Sequence, residues 1–461
     1  MCGIMGVSGV DNAASVANLG LYALQHRGQE SAGIVAVDEH AQARAVRSMG
    51  LVSEGLSRAG VDELPGTAAI GHTRYSTAGS STIENAQPVL ARVRGGHVVL
   101  AHNGNIVNAT ELRHELEEQG SIFSSTMDSE VLVHRIARST RTRPEEQLAD
   151  ALTGVEGAYS LVVLINGVLL AARDPRGWRP LAMGRLGDGI VFASETCALD
   201  IVGATYEREV EPGEIVTVDG TEIHSAFPLE RRELRRCVFE YVYFSRPDSR
   251  IFNGGSVDRA RRALGRQLGI ESPAPGAELV FGVPDSANAA ALGYAEQTGL
   301  PLELALIRNH YVGRTFIQPS QRGRQAKVKV KYNAVREVLA GRSVVMIDDS
   351  IVRGTTTQGL VALIRAAGAR EVHMRVASPP VTGPCYYGID TPSREELIAA
   401  NFSVDEIAEQ LGVDSLAYLS LDGMLRAVPD GPEGFCHACF SGDYPTPPPS
   451  DPDKLRFGCG C

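Results

Sequence analysis

The chain has 461 residues, enough for two or three domains at roughly 150 residues each and for a core that needs no disulfide staples. Hydrophobic residues make up 43% and charged residues 21%, which excludes a wholly disordered or collagen-like chain. With 44 basic against 55 acidic residues the formal net charge is −11, which argues against general nucleic-acid binding but leaves room for the few cations that a phosphorylated small molecule needs.

The first 230 residues carry short β-like runs at 33–37, 97–101, 160–164 and 189–193, with helical patterns at 109–119 and 129–136. The Thr126 hydroxyl is placed to cap the second helix. This mixture predicts an α+β domain of stacked antiparallel sheets. The charged segment 229–236 reads as a boundary. Beyond residue 258 the texture changes to strand–helix alternation. Strands are expected at 278–283, 302–307, 343–347 and 372–377, and helices at 287–297 and 356–367. That pattern predicts a mostly parallel sheet covered by helices, which binds ligands at the carboxyl ends of its strands. From residue 431 the tail is rich in Gly, Pro and Cys, and 444–453 is too proline-rich for helix or sheet. The division expected is therefore 2–232, 233–430 and 431–461.

No run approaches the roughly 18 apolar residues of a membrane span. The opening residues, MCGIMGVSGVDNA, lack the basic and apolar segments of a secretory signal. A cytoplasmic protein with reduced thiols is expected. Its eight cysteines then need a reason: Cys2, Cys197, Cys237, Cys385, Cys436, Cys439, Cys459 and Cys461.

Removal of Met1 would leave Cys2 with a free α-amine, whose ordinary pKa is about 8. Nucleophile and base would then come from one residue. On position alone a chance cysteine serves as well. The strings CGIMG, LQHRGQESAGI (24–34), GHTRYST (71–77), AHNGNI (101–106) and MDSE (127–130) follow in order. Together they resemble the class II glutamine amidotransferase domain, an N-terminal-nucleophile hydrolase with stacked antiparallel sheets between helices, over about 230 residues. The resemblance implies that Asn103 and the amide of Gly104 form an oxyanion hole, that Arg74 holds the α-carboxylate of glutamine and that Asp128 binds its α-ammonium. Taken singly, the same residues suit a surface ion pair, a turn and a helix cap.

In SVVMIDDSIVRGTTTQG (343–359) an apolar strand ends in two carboxylates and a threonine-rich loop opens a helix. Helix-terminal amides suit a phosphate, and paired carboxylates suit ribose hydroxyls or hydrated Mg²⁺. A helix cap beside a solvated acidic pair is the plainer reading. The full string resembles the signature of type I phosphoribosyltransferases. By that likeness, Asp348, Asp349 and Ser350 face the ribose of phosphoribosyl pyrophosphate (PRPP), and Arg353, Gly354, Thr355, Thr356 and Thr357 cradle its 5′-phosphate. VPDSANAAALGYA (283–295) resembles the family's pyrophosphate loop, with Asp285 and Ser286 at PRPP and with Ser286, Asp348 and Asp349 around Mg²⁺. Ala287 stands where glycine is common. The run 327–333 brings Lys327 and Lys329, which suit a closing loop over pyrophosphate or a solvated strand edge.

Both halves in this order, with RNHYVGRTFIQPSQ (308–321) and VEPGEIVTVD (210–219), resemble the amidophosphoribosyltransferase family over nearly all of 2–445. The resemblance implies that glutamine is hydrolysed at Cys2 and its ammonia passed internally to PRPP. The products are 5-phosphoribosylamine, glutamate and pyrophosphate, at the first committed step of purine synthesis. It further implies a homotetramer inhibited by purine nucleotides. A PRPP-sensing regulator and another class II amidotransferase are the alternatives; the glutaminase strings argue against the first and the Asp348 string against the second. The four cysteines Cys237, Cys385, Cys436 and Cys439 suit zinc, an iron–sulfur cluster or isolated core positions. CVFEYVYFSRPDS (237–249), CYYGID (385–390) and CHACFSGDYP (436–445) resemble the subclass with a 4Fe–4S cluster, which implies these four as its ligands. That subclass often carries a propeptide before the nucleophile; here only Met1 stands there, so loss of methionine is expected to suffice. Cys459 and Cys461 match no role.

Overall fold

The computed structural model describes residues 1–56, 60–75, 79–310 and 330–450. The first 226 residues supply β1 (Gly3–Ser8), β2 (Ser31–Val37), β3 (Ala43–Met49), β4 (Ala68–Arg74), β5 (Val89–Val93), β6 (Gly96–Ile106), β7 (Gly157–Ile165), β8 (Val168–Arg173), β9 (Ala182–Leu186), β10 (Gly189–Ala193), β11 (Thr205–Glu209), β12 (Ile215–Asp219) and β13 (Glu222–Ala226). One sheet runs β11-β9-β10-β1-β4-β2-β3 and the other β13-β12-β8-β7-β6-β5. Side-chain alternation divides each strand between two cores. In β7, Val162 and Leu164 join Ile4, Val35 and Ile70 between the sheets. Leu161, Val163 and Ile165 instead meet the helices Ala109–Glu118, Glu130–Arg138 and Pro144–Leu152. The outer face of the first sheet packs on helices Ala13–Ala23 and Thr196–Val202. Gly6 of β1 lets the sheets close, because a Cβ there would lie 2.3 Å from Val162 Cγ1. This is the expected stack of antiparallel sheets between helices. Thr126 does not cap the following helix, which starts at Glu130 after Ser129 with no side-chain cap. Its hydroxyl instead accepts from Asn85 Nδ2 at 2.7 Å.

The second half is built on four parallel strands in the order Leu279–Gly282, Ser343–Asp348, Glu371–Val376 and Ser415–Tyr418. Val344, Val345, Met346 and Ile347 are all fully buried, as a parallel strand covered on both faces requires. Helices Val257–Glu271 and Asn288–Thr298 approach closely because Gly265 and Gly293 lie at their contact; a Cβ on either would meet backbone oxygen within 2 Å, at 1.8 and 1.9 Å. The strand expected at 302–307 is not formed as one. Leu302 makes a single bridge to Val280, Leu304 is 72% exposed, and Leu306–Arg308 pairs antiparallel with Tyr332–Ala334. The tail folds back into this half. Phe435–Cys436 pairs in parallel with Arg236–Cys237, and Phe435 and Phe440 enter its core.

Buried charge joins the halves. Arg27 donates to Glu195 Oε1 at 2.5 Å and to both oxygens of Glu240 at 3.0 and 2.8 Å. All three side chains are fully buried. Burial pushes the Glu195 carboxyl up, but His26 and Arg27 more than reverse this and hold it well below the usual range. A carboxyl depressed on folding contributes stability above its unfolded pKa, near 4.5, which is lost as pH falls. Arg27→Leu is therefore expected to cost about 3–5 kcal/mol by stranding two buried carboxylates. Denaturant unfolding of parent and variant should show that deficit at pH 7 and a smaller one near pH 4.

Candidate functional site

Cys2 lies at the end of β1, the central strand of its sheet, and is 6% exposed. Three segments grip it. Its backbone N–H donates to Asn103 Oδ1 at 3.2 Å, and its carbonyl accepts from Arg27 Nε at 3.0 Å. Its thiol lies 3.6 Å from the Tyr75 carbonyl oxygen. Asn103 belongs to β6 and is fully buried, and its Nδ2 has no hydrogen-bond partner among the described residues. An orphaned amide donor costs stability, on the order of 1–3 kcal/mol, and so calls for a ligand. The next residue must be glycine: a Cβ on Gly104 would fall 1.9 Å from the Ala158 carbonyl oxygen.

Arg74 ends β4, beside β1, with Gly3 opposite Thr73. It is 2% exposed, and its Nη1 donates to Glu30 Oε1 at 2.8 Å and to the Ser80 carbonyl at 3.1 Å. Asp128 accepts from the Ile106 amide at 2.8 Å and from Ser129 Oγ at 3.2 Å. The structure thus places Cys2, Arg74, Asn103 and Gly104 on β1, β4 and β6 or at their ends, and Asp128, just before helix Glu130–Arg138, is hydrogen-bonded to Ile106 at the end of β6. Residues 76–78 lie outside the described residues. The reading of the sequence passed over Arg27, Glu30, Glu195 and Glu240; the first two lie inside the LQHRGQESAGI string, which was their only signal.

A second site lies in the other half. Strands Leu279–Gly282 and Ser343–Asp348 are parallel neighbours, so the Asp285–Ser286 loop and the Asp348–Asp349 pair leave the sheet side by side. The Asp349 amide donates to Asp348 Oδ1 at 3.0 Å, and Ser350 Oγ donates to Asp349 Oδ1 at 2.8 Å. Burial and the neighbouring Asp349 charge push Asp348 well above the usual carboxylate range. Burial also raises Asp349, tempered by the Ser286 and Ser350 hydroxyls and by Arg261. Asp285 pairs with Arg308 at 2.6 Å, and Tyr332 Oη donates to the Pro284 carbonyl at 3.2 Å. Gly354 takes φ +74° at the start of helix Thr355–Ala366, and a Cβ there would lie 2.8 Å from Ile398 Cδ1. Thr355 and Thr356 are exposed in the first turn, while Thr357 is buried. Arg353 pairs with Glu396 at 3.2 Å. Lys327 and Lys329 fall outside the described residues.

The cysteines form a third group. Cys237 and Cys436 sit opposite each other in a two-stranded parallel pair. With Cys385 and Cys439 they line one enclosed space bordered by Trp178, Arg179 and Tyr387. All four are free thiols. Burial pushes the Cys237 thiol up to about 11, and burial with the Cys237 and Cys385 sulfurs pushes Cys436 up to about 12. Backbone amides point at the sulfurs: Tyr387 N–H donates to Cys385 Sγ at 3.4 Å, Phe239 serves Cys237 and Ala438 serves Cys436. Among the described residues, no three His, Cys, Asp or Glu side chains close around a single ion. Cys459 and Cys461 are not among the described residues, and Cys197 lies apart in the first half's core.

Comparison with known proteins covers both halves. A model of the glutamine amidotransferase domain matches residues 72–200. The chain is 51% identical to amidophosphoribosyltransferase 2, chloroplastic, of Arabidopsis thaliana over 99% of its own length and 81% of that protein. It is 49% identical to the amidophosphoribosyltransferase of Bacillus subtilis over 96% of this chain and 94% of that one. The solved structure of glutamine PRPP amidotransferase from B. subtilis, complexed with ADP and GMP, superposes with a TM-score of 0.92 at 47% identity, covering 98% and 99% of the two chains. A structure described as the allosteric regulatory enzyme of purine biosynthesis gives 0.93 at 48% identity, covering 99% of each chain.

The acidic pair carries a stability cost that can be measured. A carboxyl whose pKa is raised on folding destabilises the fold once pH rises past its unfolded value. Asp348→Asn should therefore stabilise the ligand-free protein, by about 0.5–2 kcal/mol at pH 8. The gain should shrink toward pH 4 in denaturant titrations, and equal or lower stability at pH 8 would show that the pair is not under charge strain.

Proposed function

The chain belongs to the amidophosphoribosyltransferase family, and from that premise we propose which of its groups carry each half of the reaction. The enzyme transfers the amide nitrogen of glutamine to PRPP, giving 5-phosphoribosylamine, glutamate and pyrophosphate, the first committed step of purine synthesis. Relatives match 96–99% of this chain, so an amidotransferase with a different acceptor half does not fit.

The observation that carries the assignment is the Cys2–Asn103 contact. Asn103 holds the Cys2 nitrogen with Oδ1 and keeps Nδ2 unpartnered. Once Met1 is removed, that nitrogen becomes the α-amine. The Cys2 nitrogen is buried, and burial disfavours a charged amine, so the new α-amine is driven toward the neutral form that can accept the Cys2 thiol proton. The thiolate attacks the glutamine amide carbon, and the oxyanion takes hydrogen bonds from Asn103 Nδ2 and the Gly104 amide. Collapse expels ammonia with the proton held by the amine and leaves a thioester on Cys2, which water opens to glutamate. Arg74, oriented by Glu30, holds the substrate's carboxylate and Asp128 its ammonium.

Ammonia then moves inside the protein to the second site, because in neutral water most of it would be protonated and unreactive. There its lone pair attacks the anomeric carbon of PRPP, and the bond to pyrophosphate breaks. Asp348, Asp349 and Ser350 hold the ribose. The first-turn amides after Gly354, with Arg353, Thr355, Thr356 and Thr357, take the 5′-phosphate. Asp285 and Ser286 face the pyrophosphate, and Lys327 and Lys329, outside the described residues, are assigned to it from the family resemblance alone. Mg²⁺ near Ser286, Asp348 and Asp349 would neutralise charge on the leaving group. The raised Asp348 and Asp349 fit such a site, since a cation relieves their strain.

The cysteine group fits a 4Fe–4S cluster. Four sulfurs around a space, each offered backbone N–H or cationic neighbours, suit a polynuclear group more than one zinc ion. Burial pushes the Cys237, Cys436 and Cys439 thiols up, so these three also need a metal charge to become ligands. Such a cluster would be structural, tying the tail strand Phe435–Cys436 and the Cys385 loop to Cys237, so that binding energy becomes folding energy. The reading also takes purine nucleotides as inhibitors and the assembly as a cytoplasmic homotetramer.

Cys2→Ala is expected to lower glutamine-supported synthesis by on the order of a thousandfold or more while sparing ammonia-supported synthesis; loss of both in folded protein would refute two separate sites. Since the base must be neutral, kcat/KM for glutamine hydrolysis should fall about tenfold per pH unit below the amine pKa, with that limb below the reference of about 8. Intact mass should show Met1 absent from active protein. Cys436→Ser should lose iron and acid-labile sulfide and expose the tail to proteases, and Cys197→Ser should do neither. Stoichiometric zinc without sulfide in fully active protein would refute the cluster.

A further inference from the structure

The loop that carries Cys385 lies directly against the strand that carries Asn103 and Gly104. Gly388, at φ +105°, is so close to Gly104 that a Cβ on it would lie 2.8 Å from the Gly104 carbonyl carbon and 2.9 Å from its Cα. Gly104 is thus enclosed from two sides, by Ala158 of β7 and by Gly388 of the other half of the chain. Two further contacts fix the loop. Asn105 Nδ2 donates to the Tyr386 carbonyl at 2.9 Å. Arg179, fully buried, donates through Nε and Nη2 to the Tyr387 carbonyl at 3.1 and 2.5 Å. The Tyr387 ring stacks on Trp178 at 4.4 Å.

We propose that Gly388 is a positioning residue for glutamine hydrolysis: the second half of the chain sets the Gly104 peptide from outside, with the Asn105–Tyr386 hydrogen bond holding the register. This rests on the reading that Asn103 and Gly104 stabilise the oxyanion. The physical reason is reach. An oxyanion donor is effective only within a few tenths of an ångström of its working distance. Gly104 has no side chain through which its own domain could wedge it in place. Backbone packed on backbone supplies that wedge, and only glycine at 388 allows it, since a Cβ there would meet the Gly104 backbone. A methyl group at Gly388 must push either the loop or the Gly104 peptide away.

The test uses full-length enzyme carrying Gly388→Ala and, as a milder variant, Asn105→Ala. Glutamine kinetics, ammonia-supported synthesis and inhibition by a glutamate γ-aldehyde, which forms a tetrahedral adduct with Cys2, are measured for each. Gly388→Ala should lower kcat for glutamine by about tenfold to a hundredfold and raise the inhibition constant of the aldehyde by a similar factor. KM for glutamine and the ammonia-supported rate should stay within about twofold, since neither depends on the oxyanion donors. Asn105→Ala should show the same pattern at about threefold to tenfold, and it carries the test if Gly388→Ala does not fold. Unchanged kcat in either folded variant overturns the proposal, as does an equal loss of the ammonia-supported rate. Asn103→Ala separates the two layers. Loss there without loss at Gly388 overturns the positioning role alone, whereas no loss at Asn103 overturns the oxyanion reading itself.

Discussion

The guanidinium of Arg27 is the point on which both halves of the molecule depend. It holds the backbone of Cys2 through its carbonyl, a carboxylate of its own domain at Glu195 and a carboxylate of the other half at Glu240. A buried cation is tolerable only when its charge is answered on all sides, so the position of Cys2 and the docking of the halves are parts of one electrostatic solution. From Glu240 the contacts continue. Ser245 Oγ donates to Glu240 Oε2 at 2.7 Å, and Arg261 Nη2 donates to the Ser245 carbonyl at 2.7 Å. Arg261 in turn lies within electrostatic reach of Asp349. Polar contacts therefore run from Cys2 to Arg261, whose charge is felt at the acidic pair of the second site.

Function shows in this protein as local departures from what stability alone would favour. Asn103 keeps an amide donor unpaired in a fully buried position, and Asp348 and Asp349 are buried side by side against their charge. Four thiols are packed together without a disulfide. Each departure is a demand of the kind the proposed reading assigns to a ligand: an oxyanion at Asn103, a phosphoribosyl group at the acidic pair and a cluster at the thiols. The surrounding sheets, with their fully buried strands, supply the rigidity that lets such demands persist.

Much of this was legible in the sequence. Residues 189–193 read as a strand because apolar residues fill a short run between glycine and polar turns, and β10 has those bounds. The parallel sheet followed from strand–helix alternation, and the candidate site residues were named from strings that resemble the family's. What could not be read were partnerships over long separations. Arg27 and Glu240 lie 213 residues apart, and neither shows locally that it is buried. Gly388 looks like an ordinary loop glycine until Gly104 is seen beneath it. The 302–307 run was misread because Leu302, Leu304 and Ile307 suggest burial, whereas they are 42, 72 and 46% exposed. Thr126 was misread because a hydroxyl near a helix start suggests a cap, and a tertiary partner, Asn85, takes it instead.

The central claim is that one chain makes ammonia at Cys2 and consumes it at the Asp348–Asp349 site without releasing it. The direct measurement supplies glutamine labelled with ¹⁵N in its amide, together with PRPP and a large excess of unlabelled ammonium at neutral pH. The 5-phosphoribosylamine is trapped as it forms, and its isotope content is read by mass spectrometry. Internal transfer predicts product that keeps nearly the full label of the glutamine. Product diluted further than the separately measured ammonia-supported rate at that ammonium concentration accounts for would contradict it, because the two sites would then communicate only through solvent.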